Sequence, residues 1–82
     1  RVNLVTFSPD GKLFASANSH EIKLWDVTSR REIRTFNLDY KSPLVSIKFS
    51  YDGKILAGSL HQNKTLLWDV TTGRLIETIN EN

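Results

Sequence analysis

Trp25-Asp26-Val27-Thr28 recurs as Trp68-Asp69-Val70-Thr71, 43 positions further along a chain of 82 residues. The duplication extends upstream, where Phe7-Ser8-Pro9-Asp10-Gly11-Lys12 returns 42 positions later as Phe49-Ser50-Tyr51-Asp52-Gly53-Lys54, and Ala15 returns as Ala57. Beyond the tryptophans the offset is 43, and Arg31, Ile33, Thr35 and Asn37 return as Arg74, Ile76, Thr78 and Asn80. A period in the low forties marks stacked supersecondary units, none of which buries its apolar faces alone. The first unit is expected over residues 1–38 and the second over 39–82.

Each unit predicts four short strands. Val2, Val5 and Phe7 in the first, matched by Leu44, Ile47 and Phe49 in the second, run into Asp-Gly. That pair signals a tight hairpin, because glycine accepts the positive φ such turns require. Second strands follow at Leu13 to Ala17 and Ile55 to Ser59, with small residues that imply close backbone approach or a crowded centre. Third strands are predicted at Ile22 to Asp26 and Thr65 to Asp69. The polar turns Thr28-Ser29-Arg30 and Thr71-Thr72-Gly73 then lead to fourth strands at Glu32 to Phe36 and Leu75 to Ile79. No segment has sustained 3.6-residue periodicity. The fold class is therefore all-β: two four-stranded antiparallel meanders. Apolar residues fall on both faces of these strands, as in Val2, Leu4, Val5 and Phe7 or Ile22, Leu24 and Trp25. A sheet apolar on both faces must lie between two other layers, which is the requirement of a β-propeller blade.

The segments VNLVTFSPDGKLFASA with IKLWDVT, and LVSIKFSYDGKILAGS with TLLWDVTTG, resemble the WD40-repeat family over nearly the whole chain. The shared signature comprises Asp10, Gly11, Trp25 and Asp26 in the first unit and Asp52, Gly53, Trp68 and Asp69 in the second. In that family a Gly-His pair, a second-strand Ser or Thr, a turn Asp and the Trp form a buried hydrogen-bond network. Here Asp39-Tyr40 stand at the Gly-His place, and Ser19 and Gln62 stand at the turn-Asp places. Ser16 is available to the network in the first unit, whereas Gly58 is not in the second. The network is expected to be incomplete in both units, and incomplete polar networks fix a structure poorly.

Composition excludes several classes. Eleven Lys and Arg against nine Asp and Glu leave a net charge of +2, too little to indicate nucleic-acid binding. The absence of cysteine removes disulfides and thiolate metal sites. No apolar run approaches the roughly 18 residues that span a bilayer, and Arg1-Val2-Asn3-Leu4-Val5 lacks a signal-peptide pattern. No membrane partner is expected, and the expected location is intracellular, in the cytoplasm. The start on Arg1 inside an apolar alternation leads us to expect a piece of a longer protein.

Candidate chemistry is sparse. His20 and His61 occupy equivalent turns but fall short of the three or four ligands of a zinc site, so neither metal nor cofactor is expected. Ser19-His20-Glu21 has the residue types of a catalytic triad, yet triads converge in space on a cleft and are not adjacent in sequence. Asp10 and Asp52 are accounted for by their turns. The four glycines make no phosphate loop. Arg30, Arg31 and Arg34 form the single basic cluster, read as a charged sheet edge that discourages strand pairing. Asn63-Lys64-Thr65 fits a glycosylation acceptor, which is incidental without a secretory signal. Trp25 and Trp68, at repeat-equivalent strand ends, are expected to pack rather than to stack on a ligand.

Two blades fall short of the about four to eight that close a propeller. They leave two outer faces bare, so the missing cover comes from further blades of a longer chain or from other copies of this one. In the second case three or four copies close six or eight blades, never seven. The expected function is a non-catalytic scaffold for a protein or peptide partner. The alternative is a sensor segment attached to an enzyme or nucleotide-driven switch. By resemblance, the docking face is formed by the loops before the first strand and between strands two and three. Those loops contain Tyr40, Lys41, Ser19, His20, His61 and Gln62.

Overall fold

A computed structural model of the chain describes residues 4–18, 20–38, 44–61 and 63–80. Eight strands follow one another: β1 (Leu4–Phe7), β2 (Leu13–Ala17), β3 (Glu21–Asp26), β4 (Glu32–Asn37), β5 (Leu44–Phe49), β6 (Ile55–Leu60), β7 (Lys64–Asp69) and β8 (Leu75–Asn80). They form two antiparallel meanders, β1-β2-β3-β4 and β5-β6-β7-β8. The predicted strands agree to within one residue at each end, apart from Val2, which lies outside the described residues. Among the described residues no helix is long and apolar enough to cross a membrane.

The first hairpin of each sheet is wider than a two-residue turn. Phe7 pairs with Phe14, and the Ser8 N–H donates to the Leu13 carbonyl at 2.8 Å, so residues 9–12 form the loop. Pro9 presets the bend, and Gly11, at φ 75°, donates its N–H to the Ser8 carbonyl at 3.0 Å. The Ser8 hydroxyl fastens the loop from within, donating to Asp10 Oδ1 at 2.7 Å and accepting the Leu13 N–H at 3.0 Å. Asp10 Oδ1 also accepts the Lys12 N–H at 2.9 Å. Ser50, Asp52, Gly53 and Lys54 repeat every one of these bonds in the second sheet.

The β3–β4 and β7–β8 turns are fastened by the aspartate that follows each tryptophan. Asp26 Oδ1 accepts the Ser29 N–H, and Asp69 Oδ1 accepts the Thr72 N–H, both at 2.9 Å. The residue that closes each turn has positive φ: Gly73 at 81° in the second sheet, but Arg30 at 63° in the first.

The sheets stack through unlike faces. In the first sheet Ala15 opposes Leu24, Ala17 opposes Ile22, and Ile22 opposes Phe36, so these side chains share one face. In the second sheet Phe49 opposes Leu56, Leu56 opposes Trp68, and Gly58 opposes Leu66. The apolar residues of both sets lie in one buried cluster. Leu56 and Trp68 hold the repeat positions of Phe14 and Trp25, which lie on the opposite face of the first sheet. The sheets are therefore related front to back. Within the second sheet Gly58 makes room for its own neighbours: a Cβ built there would lie 3.0 Å from Trp68 Cζ3 and 3.1 Å from Leu44 Cδ1.

Candidate functional site

The stacking places equivalent turns at common ends. A Cβ on Gly53 would lie 3.6 Å from Pro9 Cδ, so the two Asp-Gly loops adjoin. Each meander reverses between its second and third strands, which puts His20 and His61 at the other end. Both are exposed. Asn18 shapes the β2–β3 turn, its Oδ1 accepting the N–H groups of His20 at 2.7 Å and Glu21 at 3.0 Å. The Leu38 N–H donates to the His20 carbonyl at 2.9 Å, and Leu44 pairs with Leu60, so the described residues flanking 39–43 also lie at this end. Ser19, Tyr40, Lys41 and Gln62, four of the six docking residues expected from the sequence, lie outside the described residues.

Among the described residues, the carboxylates weighed for catalysis have structural partners. Glu21 lies on β3 with its carboxylate 3.6 Å from Lys23 Nζ, which is also 3.8 Å from Glu32. Asp10 is committed to its own loop: hydrogen bonds from the Ser8 hydroxyl and then the Lys12 N–H hold its pKa below the ordinary 3.8. Asp52 is lowered likewise, first by the Lys54 N–H and then by the Ser50 hydroxyl. Among the described residues no group of three His, Cys, Asp or Glu side chains is placed to hold a metal ion.

The basic cluster divides. Arg30 and Arg31 are exposed, as expected of a charged edge. Arg34 is not part of that edge. It shares the buried face with its opposite residue Leu24, crosses to the second sheet, and donates from Nη1 to the Thr72 carbonyl at 3.0 Å and from Nη2 to the Thr71 carbonyl at 2.8 Å. Its guanidinium thus satisfies the turn carbonyls of the neighbouring sheet, while its Nε is buried without a partner. The run of arginines hid this role, because sequence proximity suggested a common purpose. The repeat carried the signal, since Arg34 is the position at which the second unit has Glu77. Ser8 and Ser50 were also missed, although the doubled Ser-x-Asp-Gly pattern marks them.

The two tryptophans differ in environment. Trp68 is 5% exposed, with Phe36 of the first sheet beside it at 5.3 Å between ring centroids. Trp25 is half-buried on the uncovered face of the first sheet, where its indole N–H donates to Ser16 Oγ at 3.1 Å. Phe14 stacks on it at 5.9 Å with planes 9° apart. The Ser16–Trp25 part of the expected network is therefore formed, and in the second sheet Trp68 rests on Gly58 instead. Phe7, Phe14, Ser16, Trp25, Val27 and Arg30 line an open groove of about 500 Å³ on this face.

Residues 1–26 match the family model described as WD domain, G-beta repeat. No curated protein matches the chain. A chain in the crystal structure of the mitotic checkpoint complex shares the fold over 99% of this chain, with a TM-score of 0.86 and 22% identity. The present chain spans 24% of that one. Residues 1–26 are thus similar to the WD-repeat model, and the fold shared along the whole chain is that of two four-stranded antiparallel blades of the β-propeller kind.

Proposed function

We propose that the chain is a non-catalytic interaction module, whose unit boundary falls after Leu38 and whose docking end carries Tyr40, Lys41, Ser19, His20, His61 and Gln62. The observation that carries this reading is the alignment of the blades, which brings exposed His20 and His61 to one end, away from the adjoining Asp-Gly loops. Strands and hairpins repeat between the units while these turn residues differ. A rigid scaffold bearing variable turns is the usual arrangement of a binding surface. Tyrosine is enriched among residues that dominate binding energy, so Tyr40 is the anchor.

Site-specific photo-crosslinking tests this reading. A photoreactive residue replacing His61 in the intact protein is expected to capture a protein partner. One replacing Tyr51, which is 98% exposed at the opposite end, is expected not to. Equal capture from both positions, or unchanged partner binding by Tyr40→Ala and His61→Ala, would remove the proposed end from consideration.

A further inference from the structure

Both outer strands carry the same irregularity. The register of β3 with β4 shifts between Leu24 and Trp25, which pair with Arg34 and Glu32, so Ile33 is an extra residue with no partner on β3. The register of β7 with β8 shifts in the same way between Leu67 and Trp68, which leaves Ile76 over. A bulge at a sheet edge re-aims a side chain and makes that edge a poor template for a further strand. In both blades the extra residue is isoleucine, 45% exposed at Ile33 and 50% at Ile76. Ile33 has a blade after it and Ile76 has one before it, so neither a following nor a preceding blade covers this position.

The two isoleucines stand at a seam bounded on both sides by this chain. β1 lies against β5, whereas β4 and β8 do not come that close, so the sheets part toward their outer strands. Arg34 spans the gap, tying β4 to the Thr71-Thr72 turn that opens β8. Leu75 opposes Trp68 and therefore points toward the first blade, yet it is 48% exposed. The seam thus presents aliphatic side chains from both blades.

The cations around it lack counterions. Arg34 gives both Nη groups to neutral carbonyls, and Arg31 and Arg74, at one repeat position, are exposed. None of the three makes an ion pair among the described residues. The neighbouring carboxylates are engaged elsewhere. Glu32 lies 3.8 Å from Lys23 Nζ and accepts the Thr35 hydroxyl at 2.6 Å, while Asp69 accepts the Thr72 N–H at 2.9 Å. Glu77 opposes Leu67 on the far face of the second blade.

We propose that this seam binds an extended peptide segment of another protein in which leucine-like side chains are flanked by aspartate or glutamate. The apolar side chains of the peptide cover Ile33, Leu75 and Ile76, and its carboxylates meet Arg31 and Arg74. Arginine suits this role, because its fork takes a carboxylate through two parallel N–H bonds. Docking proceeds through side chains, since the bulges interrupt the edge that an added strand would need. The seam lies on the outer strands and the proposed docking end on the turns between second and third strands, so each stands or falls by itself. Tyr51, on the β5–β6 loop, belongs to neither.

Peptides selected from a random phage-displayed library against the intact protein, then measured by fluorescence anisotropy, test the proposal. They are expected to combine Asp or Glu with Leu, Ile or Phe and to bind more weakly as salt rises. Ile76→Ser and Arg74→Glu, at exposed positions where folding is retained, should each lower their affinity by about tenfold. Exchanging the acidic residues of such a peptide for lysine should restore binding to Arg74→Glu. Selection of peptides without acidic residues, or of none at all, would overturn the proposal. So would affinities indifferent to Ile76→Ser and Arg74→Glu, or a lysine-exchanged peptide that binds Arg74→Glu no better than the original. Binding lost in His61→Ala but kept in Ile76→Ser would assign the peptides to the docking end instead and overturn the seam.

Discussion

Phe36 of the first blade and Trp68 of the second meet with ring centroids 5.3 Å apart and planes inclined by 37°. Phe36 is 3% exposed, and Trp68 in turn covers Gly58. This aromatic pair joins the two sheets, and Ile79 stands at the repeat position equivalent to Phe36.

Truncating Phe36 removes one side of that contact. Phe36→Ala is expected to cost about 3–5 kcal/mol, comparable with the whole stability of a small domain, so the variant should be largely unfolded. Phe36→Leu keeps most of the volume and should cost about 1 kcal/mol. Ile33→Ala, at an exposed position on the same strand, should stay within about 0.5 kcal/mol. Urea unfolding followed by tryptophan fluorescence measures all three.

Arg34 should be intolerant of lysine. Arg34→Lys keeps the charge but loses the two-pronged donation to Thr71 and Thr72, and a loss of about 1–2 kcal/mol is expected. Gly73→Ala should be at least as harmful, because its φ of 81° disfavours a side chain and the added Cβ collides with Arg34. Chemical denaturation compares the two. A neutral Gly73→Ala would mean that Arg34 does not lie on that turn.

Arg30 sits at the equivalent turn position with φ 63°, where a Cβ is strained. Arg30→Gly is expected to stabilise the fold by about 0.5–1 kcal/mol. The melting temperature should rise by a few degrees.

The serine-aspartate clasps predict acid sensitivity. The folded-state pKa values of Asp10 and Asp52 lie below the ordinary 3.8, so ionisation favours folding. That contribution is complete above the unfolded value and is lost as pH falls through the lowered folded values. Asp10→Asn with Asp52→Asn should therefore flatten the decline of melting temperature below about pH 4. Ser8→Ala should raise the Asp10 pKa toward 3.8, read by carboxyl NMR titration.

The strands and hairpins were legible because they depend on local rules: short apolar runs, Asp-Gly loops and a repeat that states each element twice. Phe7 and Phe49 illustrate what local rules omit. They hold the same repeat position, yet Phe49 is buried and Phe7 is 60% exposed, because only one of them has a blade against it. Arg34 was misread for the same reason, as its partners are 37 and 38 residues away on the other sheet. His20 and His61 lie on exposed turns, as their places between second and third strands imply. What the proposed docking end would bind depends on a partner surface, which the chemistry of its own residues does not encode.

The front-to-back stacking of the blades is tested most directly by nuclear Overhauser contacts to the Trp68 indole. The account predicts cross-peaks from the Phe36 ring to Trp68, together with peaks from Gly58 and Leu44. A Trp68 that contacts residues of its own sheet alone, with Phe36 giving no cross-peak to it, would contradict the stacking.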